Sequence, residues 1–433
     1  MNLSRVLHQT FRSLSHRNYR LFVGGQLISM IGTWLQSVAQ SWLVYSLTGS
    51  SLLLGAITFA LQFPLVLIAP FGGVLADRLP RRRLLILTAA ILGALTLSLG
   101  ILTLASAVSI ALLFAFALAM GVTSGVDNPT RQAFVVELVG KTDLANAIAI
   151  NSSIVNMARV VGPALAGFLV ASVGEGWCFL LNGLSYFAVF FALTRIRVDE
   201  SPRLSCHERD GGFKALRQMR DGFAFVGRSL PMRALLLLVG LISLVGMPYV
   251  VLMPIFADQI LGTGSGALGL LLGANGVGAL MSALVLAMRS NPCGLERWVA
   301  RAALSFGVLL SLFALSESLW LSLLLLPGIG ASAVMQMAST NTLLQTLTTD
   351  EMRGRVMSAY SIMFFGMAPL GSLFAGSIAD IIGAPTTVLI GALISLAGAI
   401  CFRAFLGRIE RAISGEMAWL CAPEAESPSD SPP

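Results

Sequence analysis

An all-α membrane protein, with twelve spans arranged as two six-helix halves, is the fold class this 433-residue sequence predicts. Three observations predict it. Apolar stretches of about 20 residues, the length needed to cross a bilayer core of about 30 Å, recur along the chain. All 28 Lys and Arg residues except Arg159 fall in every second gap between those stretches, and the gaps between carry only acids. Three glycines of the first half, Gly162, Gly167 and Gly174, reappear 209 residues later as Gly371, Gly376 and Gly383, the mark of a duplicated unit.

The spans read as residues 21–45, 52–75, 84–104, 108–128, 144–171 and 177–195 in the first half. In the second they read as 234–258, 266–288, 299–316, 320–346, 355–380 and 386–404. Basic residues precede span 1 (Arg5, Arg12, Arg17, Arg20) and separate spans 2 and 3 (Arg78, Arg81, Arg82, Arg83) and spans 4 and 5 (Arg131, Lys141). They continue from Arg195 to Arg233 between the halves, then at Arg289, Arg297 and Arg301, at Arg353 and Arg355, and at Arg403, Arg408 and Arg411. Glu175, Asp258, Glu317 and Asp380 mark the opposite gaps. Because cationic loops resist translocation, the basic set is expected in the cytoplasm, with both termini inside and an even number of crossings.

Composition agrees. The chain is 56% hydrophobic and 11% charged, against about 25% charged in soluble domains, too little polar surface for a water-soluble protein. The net charge of +7 is spread over short loops, whereas a nucleic-acid-binding protein gathers its arginines on one soluble face. Five cysteines form no CxxC pair and no metal spacing, and only Cys178 lies near the acidic side, so no external disulfide and no metal site are expected. Residues 1–20 lack a signal-peptide cleavage pattern and form an N-terminal cytoplasmic segment. Residues 196–233 form the linker between a first bundle (21–195) and a second (234–406). Within the linker Phe213, Leu216, Met219, Phe223 and Phe225 recur near helical spacing beside Arg217 and Arg220, which fits either an amphipathic helix on the membrane surface or a solvated connection. Residues 407–433 turn to Pro, Ser and acid and are expected to be a disordered tail.

Two segments carry mechanism. The loop after span 2 runs Gly73-Val-Leu-Ala-Asp77-Arg78-Leu-Pro80-Arg81-Arg82-Arg83. Its glycine permits close helix approach, and its carboxylate and arginines can bind each other or anionic lipid. The run resembles the Gly-x-x-x-Asp-Arg-x-Gly-Arg-Arg motif of the major facilitator superfamily, with Pro80 in place of a glycine. That resemblance implies a cytoplasmic latch (Gly73, Asp77, Arg78, Arg81, Arg82) holding the two bundles together when the site faces outward. Span 5 carries Ala158-Arg159-Val-Val-Gly162-Pro163-Ala-Leu-Ala166-Gly167. It is similar to the Gly-x-x-x-Gly-Pro-x-x-Gly-Gly motif of exporters in that superfamily, with Ala158 and Ala166 replacing two glycines. Small residues pack tightly, and Pro163 frees a carbonyl and weakens the helix locally.

Arg159 stands inside an apolar span, where a lipid-facing arginine costs about 2.5–3.5 kcal/mol on insertion scales. It is expected to line a wet cavity or meet an acid, with Asp127 and Glu137 both open as partners, and to respond with one of them to protons or to an acidic group on the substrate. Gln26, Ser29, Thr33, Gln36 and Gln40 repeat every three or four residues in span 1 and share one face. Unpaired amides are costly in hydrocarbon, so the stripe is expected to face a central cavity. Ser152 and Asn156 on span 5, and Gln336, Thr340 and Asn341 on span 10, are expected there too. Trp34, Tyr249, Met335, Met337, Phe364 and Met367 offer adaptable apolar surface.

Asp127-Asn-Pro-Thr-Arg131-Gln-Ala, Glu137-Leu-Val, Leu144-Ala-Asn-Ala, Asn18-Tyr-Arg-Leu-Phe and the stretch from Gly55 to Asp77 together resemble the transmembrane secretion effector branch, which includes the enterobactin exporter. No nucleotide loop, dinucleotide pattern or paired histidine is present; His8, His16 and His207 lie in the polar ends or the linker. The sequence therefore predicts no enzyme and no cofactor. It predicts a monomeric, bacterial inner-membrane transporter that exports a small organic molecule, such as a siderophore or drug-like compound, against protons by alternating access. An importer or facilitator of the same fold, and a lipid-moving or non-transporting membrane protein, are the alternatives.

Overall fold

The protein is described by a computed structural model over residues 12–197, 211–289 and 294–416. Expectations placed on residues 1–11, 198–210 and 417–433 lie outside the described residues. Among the described residues, twelve helices are long and apolar enough to cross a membrane. In the first half these are Arg17–Thr48, Ser51–Arg78, Arg81–Leu104, Ile110–Gly140, Thr142–Val173 and Glu175–Arg195. In the second they are Leu230–Ile260, Gly264–Ala287, Leu295–Ala314, Leu319–Thr346, Asp350–Ile382 and Ala384–Ala404. Many run past the apolar windows, because a helix continues into polar sequence wherever its backbone bonds are still made. Span 1, with 32 residues, is about 48 Å long at 1.5 Å per residue, well beyond a hydrocarbon core of about 30 Å.

Punctuation is local. Ser50 and Ser109 cap spans 2 and 4 by accepting from the backbone N–H of Leu53 and Leu112. Spans 4 and 5 are two helices that meet directly at a kink at Gly140, whose φ of 69° departs from helical geometry. Gly174 and Gly383, at φ of 89° and 85°, each turn the chain in a single residue from one span to the next, spans 5 to 6 and 11 to 12. π-helical turns widen spans 7 and 11 at Ile242–Gly246, Phe256–Ile260 and Ile362–Gly366, the kind of bulge that often marks functional positions.

The glycine repeat has a three-dimensional counterpart. Gly162 of span 5 packs on Trp34 of span 1, and Gly371 of span 11 packs on Leu244 and Pro248 of span 7. Gly167 packs on Gly269 of span 8, and Gly376 packs on Gly55 of span 2. Span 3 lies on span 6 as span 9 lies on span 12. Each half is thus the same six-helix unit, and the two are joined along the span 2–span 11 and span 5–span 8 seams. Most of the buried apolar side chains form one core that runs through both halves, and a smaller cluster around Tyr19, Phe22, Phe134 and Leu193 fills the basic end of the first half. There Phe22 and Phe134 meet edge to face at 5.6 Å.

Two polar segments hold helices. The linker contains one, Gly211–Arg228, which docks on the start of span 11. Phe223 and Phe225 pack on the core, Val226 is buried, and Asp221 faces Arg355 at 3.6 Å. The tail begins as a helix, Leu406–Glu416. Arg297 donates to Glu410 of that helix at 2.7 Å, and Ile409 is buried. The acid- and proline-based expectation of disorder fails for this stretch because one apolar stripe and one ion pair suffice to dock it.

Candidate functional site: the seam between the halves

The face carrying acids is closed. Tyr45, ending span 1, donates to Asp258 of span 7 at 2.7 Å. The hydroxyls of Ser50 and Ser51 donate to Asp380 of span 11 at 3.1 and 3.4 Å. Beneath them Gly55 meets Gly376 and Gly167 meets Gly269 with no side chain between. Among the described residues, the hydrogen bonds that join the halves cluster on this acidic face.

On the basic face the expected latch residues bond within the first half. Arg81 donates to Asp77 at 3.1 Å, to the carbonyls of Ala76 and Ala133, and lies 3.6 Å from Glu137. Arg82 donates to the carbonyls of Leu193 and Thr194 at the end of span 6. Asp77 is largely exposed. Gly73 meets nothing within 4 Å, so it is not the close-approach glycine in this conformation; its neighbour Gly72 packs on Val126 and Pro129 of span 4.

Arg159 meets neither expected acid. Its guanidinium stands over the Trp34 ring at 5.9 Å, the Tyr249 hydroxyl is within electrostatic reach, and its carbonyl would be 2.7 Å from a Cβ on Gly276 of span 8. It therefore sits where span 5 meets spans 1, 7 and 8, on the line between the halves. Tyr249 in turn donates to the Asn275 side chain of span 8 at 2.8 Å. Among the described residues no carboxylate pairs with Arg159.

Asp127 is committed elsewhere. It lies 3% exposed in span 4, accepts the Thr88 hydroxyl at 2.7 Å, and pairs with Arg131 one turn on. Arg131 also donates to Gln26 of span 1. The Asp127–Arg131 pair at i and i+4 was readable in the sequence and outcompetes Arg159 by proximity; Glu137 is held by Arg81 in the same way.

The span 1 stripe also points differently from expectation. Gln36 accepts from Thr96 of span 3 at 3.2 Å and from the Asn182 amide of span 6, and donates to the Met120 sulfur of span 4 at 2.9 Å. Gln26, Ser29 and Gln40 are buried as well, while Thr33 is exposed and bonds back to the Ser29 carbonyl. Gln26 and Gln36 knit the first bundle internally, because amides without water seek the nearest partners, which are neighbouring helices. On span 5 Ser152 is exposed and accepts at its carbonyl from Asn156. On span 10 Gln336 and Thr340 are buried, and among the described residues Gln336 Nε2 and Thr340 Oγ1 have no partner.

The span 5 motif forms the other wall. Ala158 and Ala166 are fully buried, and the Pro163 carbonyl would lie 2.6 Å from a Cβ on Gly269. Span 8 meets this motif with Gly266, Gly269, Gly273 and Gly276, a stripe at helical spacing that sequence reasoning passed over. Two helices in backbone contact, one with a proline-freed carbonyl, can slide or tilt with few side chains to repack.

The comparisons with known proteins agree with this geometry. The family described as transmembrane secretion effector matches residues 8–425. A staphyloferrin A transporter of Staphylococcus aureus is 26% identical over 84% of this chain and 90% of its own. The multidrug efflux pump Tap of Mycolicibacterium fortuitum is 25% identical over 85% and 91%. Among solved structures, a bacterial homologue of the human lysosomal transporter Spinster in an inward-facing conformation aligns with a TM-score of 0.67 at 16% identity, covering 92% of this chain and 98% of that one. A D-xylose–proton symporter aligns at 0.68 and 13% identity over 90% and 97%. The duplicated halves, the seam glycines and a family match over nearly the whole length make this a multi-pass membrane transporter and not an enzyme: the chain belongs to the transmembrane secretion effector family of the major facilitator superfamily.

Proposed function

We propose that the protein exports a small organic molecule bearing an acidic group, in exchange for protons, by alternating access across the bacterial inner membrane. The observation that carries this reading is Arg159. A guanidinium on the seam, without a carboxylate partner among the described residues, lies over an aromatic face that favours cations. Its cost in an apolar surrounding is offset when the substrate supplies the anion. Gln336 and Thr340 hold unpartnered polar atoms on span 10, which supports a second polar contact from the other half. The exporter-like span 5 motif and the names of the two relatives, an efflux pump and a staphyloferrin A transporter, favour export.

Asp127 is the proton-responsive group in this reading. Protonating it would leave Arg131 charged and unpaired in a buried place, a change large enough to rearrange spans 1, 3 and 4 around it. The halves 21–195 and 234–406 are the moving units, joined by the linker 196–233. The basic face is cytoplasmic with both termini inside, the protein works as a monomer, and the Gly73–Arg82 latch engages only when the acidic face opens.

The test is efflux from cells that lack or overproduce the protein, over a panel of acidic and neutral organic solutes, with and without an uncoupler. Overproduction should lower accumulation of an acidic solute, the uncoupler should abolish that effect, and Arg159→Ala should lose it while Arg159→Lys keeps part. Accumulation that rises with the protein overturns export. Efflux indifferent to the uncoupler overturns proton exchange, and unchanged handling of acidic solutes by Arg159→Ala overturns the assigned role.

A further inference from the structure

Spans 8 and 9 both pack on span 10 but leave a gap between themselves. The gap is a groove of about 430 Å³, lined by Met281, Ser282, Trp298, Arg301, Ser332 and Met335 among others. It lies on the outside of the second half. Val285, also in its wall, stands nine residues from Gly276, and at 3.6 residues per turn that is half a turn round from the face that touches span 5. Met281 and Val285 are exposed at 60% and 48%, as lipid-facing residues are.

Such a surface should be wholly apolar, and this one is apolar except for an arginine and three serines, Ser282, Arg301, Ser305 and Ser332. Charge groups Arg301 with the loop arginines at the very start of a span read as 299–316, but span 9 begins at Leu295, so Arg301 lies about 9 Å inside the helix. Arg297, one turn earlier, is neutralised by Glu410 of the Leu406–Glu416 helix. Arg301 is exposed and, among the described residues, has no ion pair. The nearest acid in sequence, Glu296, is buried rather than turned to the groove. Ser282 in the groove wall is 4% exposed, and its buried Oγ has no partner among the described residues. At the rim the Arg289 guanidinium stacks over Trp298 at 5.2 Å, an aromatic and basic pairing suited to the membrane interface.

We infer that this groove holds one anionic phospholipid of the adjacent leaflet, its phosphate on Arg301 and its acyl chain between spans 8 and 9. The charge supplies selectivity, since a zwitterionic lipid brings no net anion, and an arginine at this depth has a strong need for one. The methionines fit a chain of irregular kinks. A bound chain filling the gap would steady spans 8 and 9 against span 10. None of this depends on the substrate or on the direction of transport.

The test is native mass spectrometry of the full-length protein released from nanodiscs made of equal phosphatidylglycerol and phosphatidylcholine. Wild type should retain phosphatidylglycerol in preference, and Arg301→Gln should weaken that retention about tenfold, the loss of one charge-assisted contact. Arg301→Lys should keep it, Arg297→Gln should leave it unchanged, and Met281→Trp, which fills the groove and keeps the charge, should abolish it. Equal retention of both lipids, or phosphatidylglycerol binding unaffected by Arg301→Gln and Met281→Trp, overturns the inference. Displacement of the lipid by millimolar inorganic phosphate alone would assign the groove to a small free anion and overturn it equally.

Discussion

Gly167 of span 5 and Gly269 of span 8 touch backbone to backbone: a Cβ placed on either would stand 2.6 Å from the other's Cα. Valine at Gly167 must therefore pry the seam apart on the acidic face. Overpacking of this kind costs about 1–3 kcal/mol, and about 1.4 kcal/mol is tenfold in an equilibrium. Gly167→Val is expected to lower the transport rate about tenfold at equal membrane level, whereas Gly24→Ala, facing open space, should stay within about twofold. Equal rates for the two variants would show that the seam need not close so tightly.

Tyr45 and Asp258 form a hydrogen bond between the halves on the acidic face. Tyr45→Phe keeps the ring and removes the donor, leaving a carboxylate without its partner. Hydrogen bonds to charged groups contribute about 1.5–3 kcal/mol, so the conformation open on the acidic face should rise in population about tenfold or more. Thiol labelling of a cysteine at Ser37, applied from the acidic side, should accelerate by a similar factor; an unchanged rate would mean that the bond does not hold this face shut.

Asp127→Asn leaves Arg131 charged among Gln26 and Thr88. Breaking a buried pair costs about 3–5 kcal/mol when the other charge stays behind, and this pair is partly open at Arg131, so the lower figure applies. The variant should melt at lower temperature in detergent and lose its response to a pH gradient. Arg131→Gln combined with Asp127→Asn should regain much of the melting temperature but not the pH response. A single variant with wild-type coupling would remove Asp127 from the proton path.

Gln36 bonds to three other spans of its own half. Gln36→Leu strands the buried Asn182 amide at a cost of about 1–3 kcal/mol, while the Thr96 hydroxyl keeps its bond to the Leu92 carbonyl at 2.7 Å. A lower melting midpoint with an unaltered substrate profile is the expected outcome. A changed profile at unchanged stability would place Gln36 on the substrate instead.

The architecture was legible because two independent signals, apolar length and the placement of Lys and Arg, agree on twelve spans, and the 209-residue glycine repeat carries the symmetry. Span ends were less legible: charge groups Arg301 with the loop arginines, yet span 9 begins at Leu295, before the apolar window at 299, since an arginine does not stop a helix. In the site, periodicity placed the span 1 glutamines on one face without saying what that face meets. The partner of Arg159 was misread for a related reason. Apparent nearness along spans 4 and 5 drew attention to Asp127 and Glu137, while Arg131 and Arg81 already held them. The span 8 glycine stripe was visible at its spacing, but its meaning depends on span 5 lying against it, a contact between residues about a hundred positions apart in the chain.

Alternating access is tested most directly by paired spin-label distances in nanodiscs, with labels at Leu47 and Ile381 on the acidic face and at Leu79 and Met288 on the basic face, all exposed. Protonation or a transported solute should lengthen the first distance while shortening the second, so that the two populations change in opposite directions. Distances that stay fixed under every condition, or that lengthen together, would contradict a seam that opens to one side at a time.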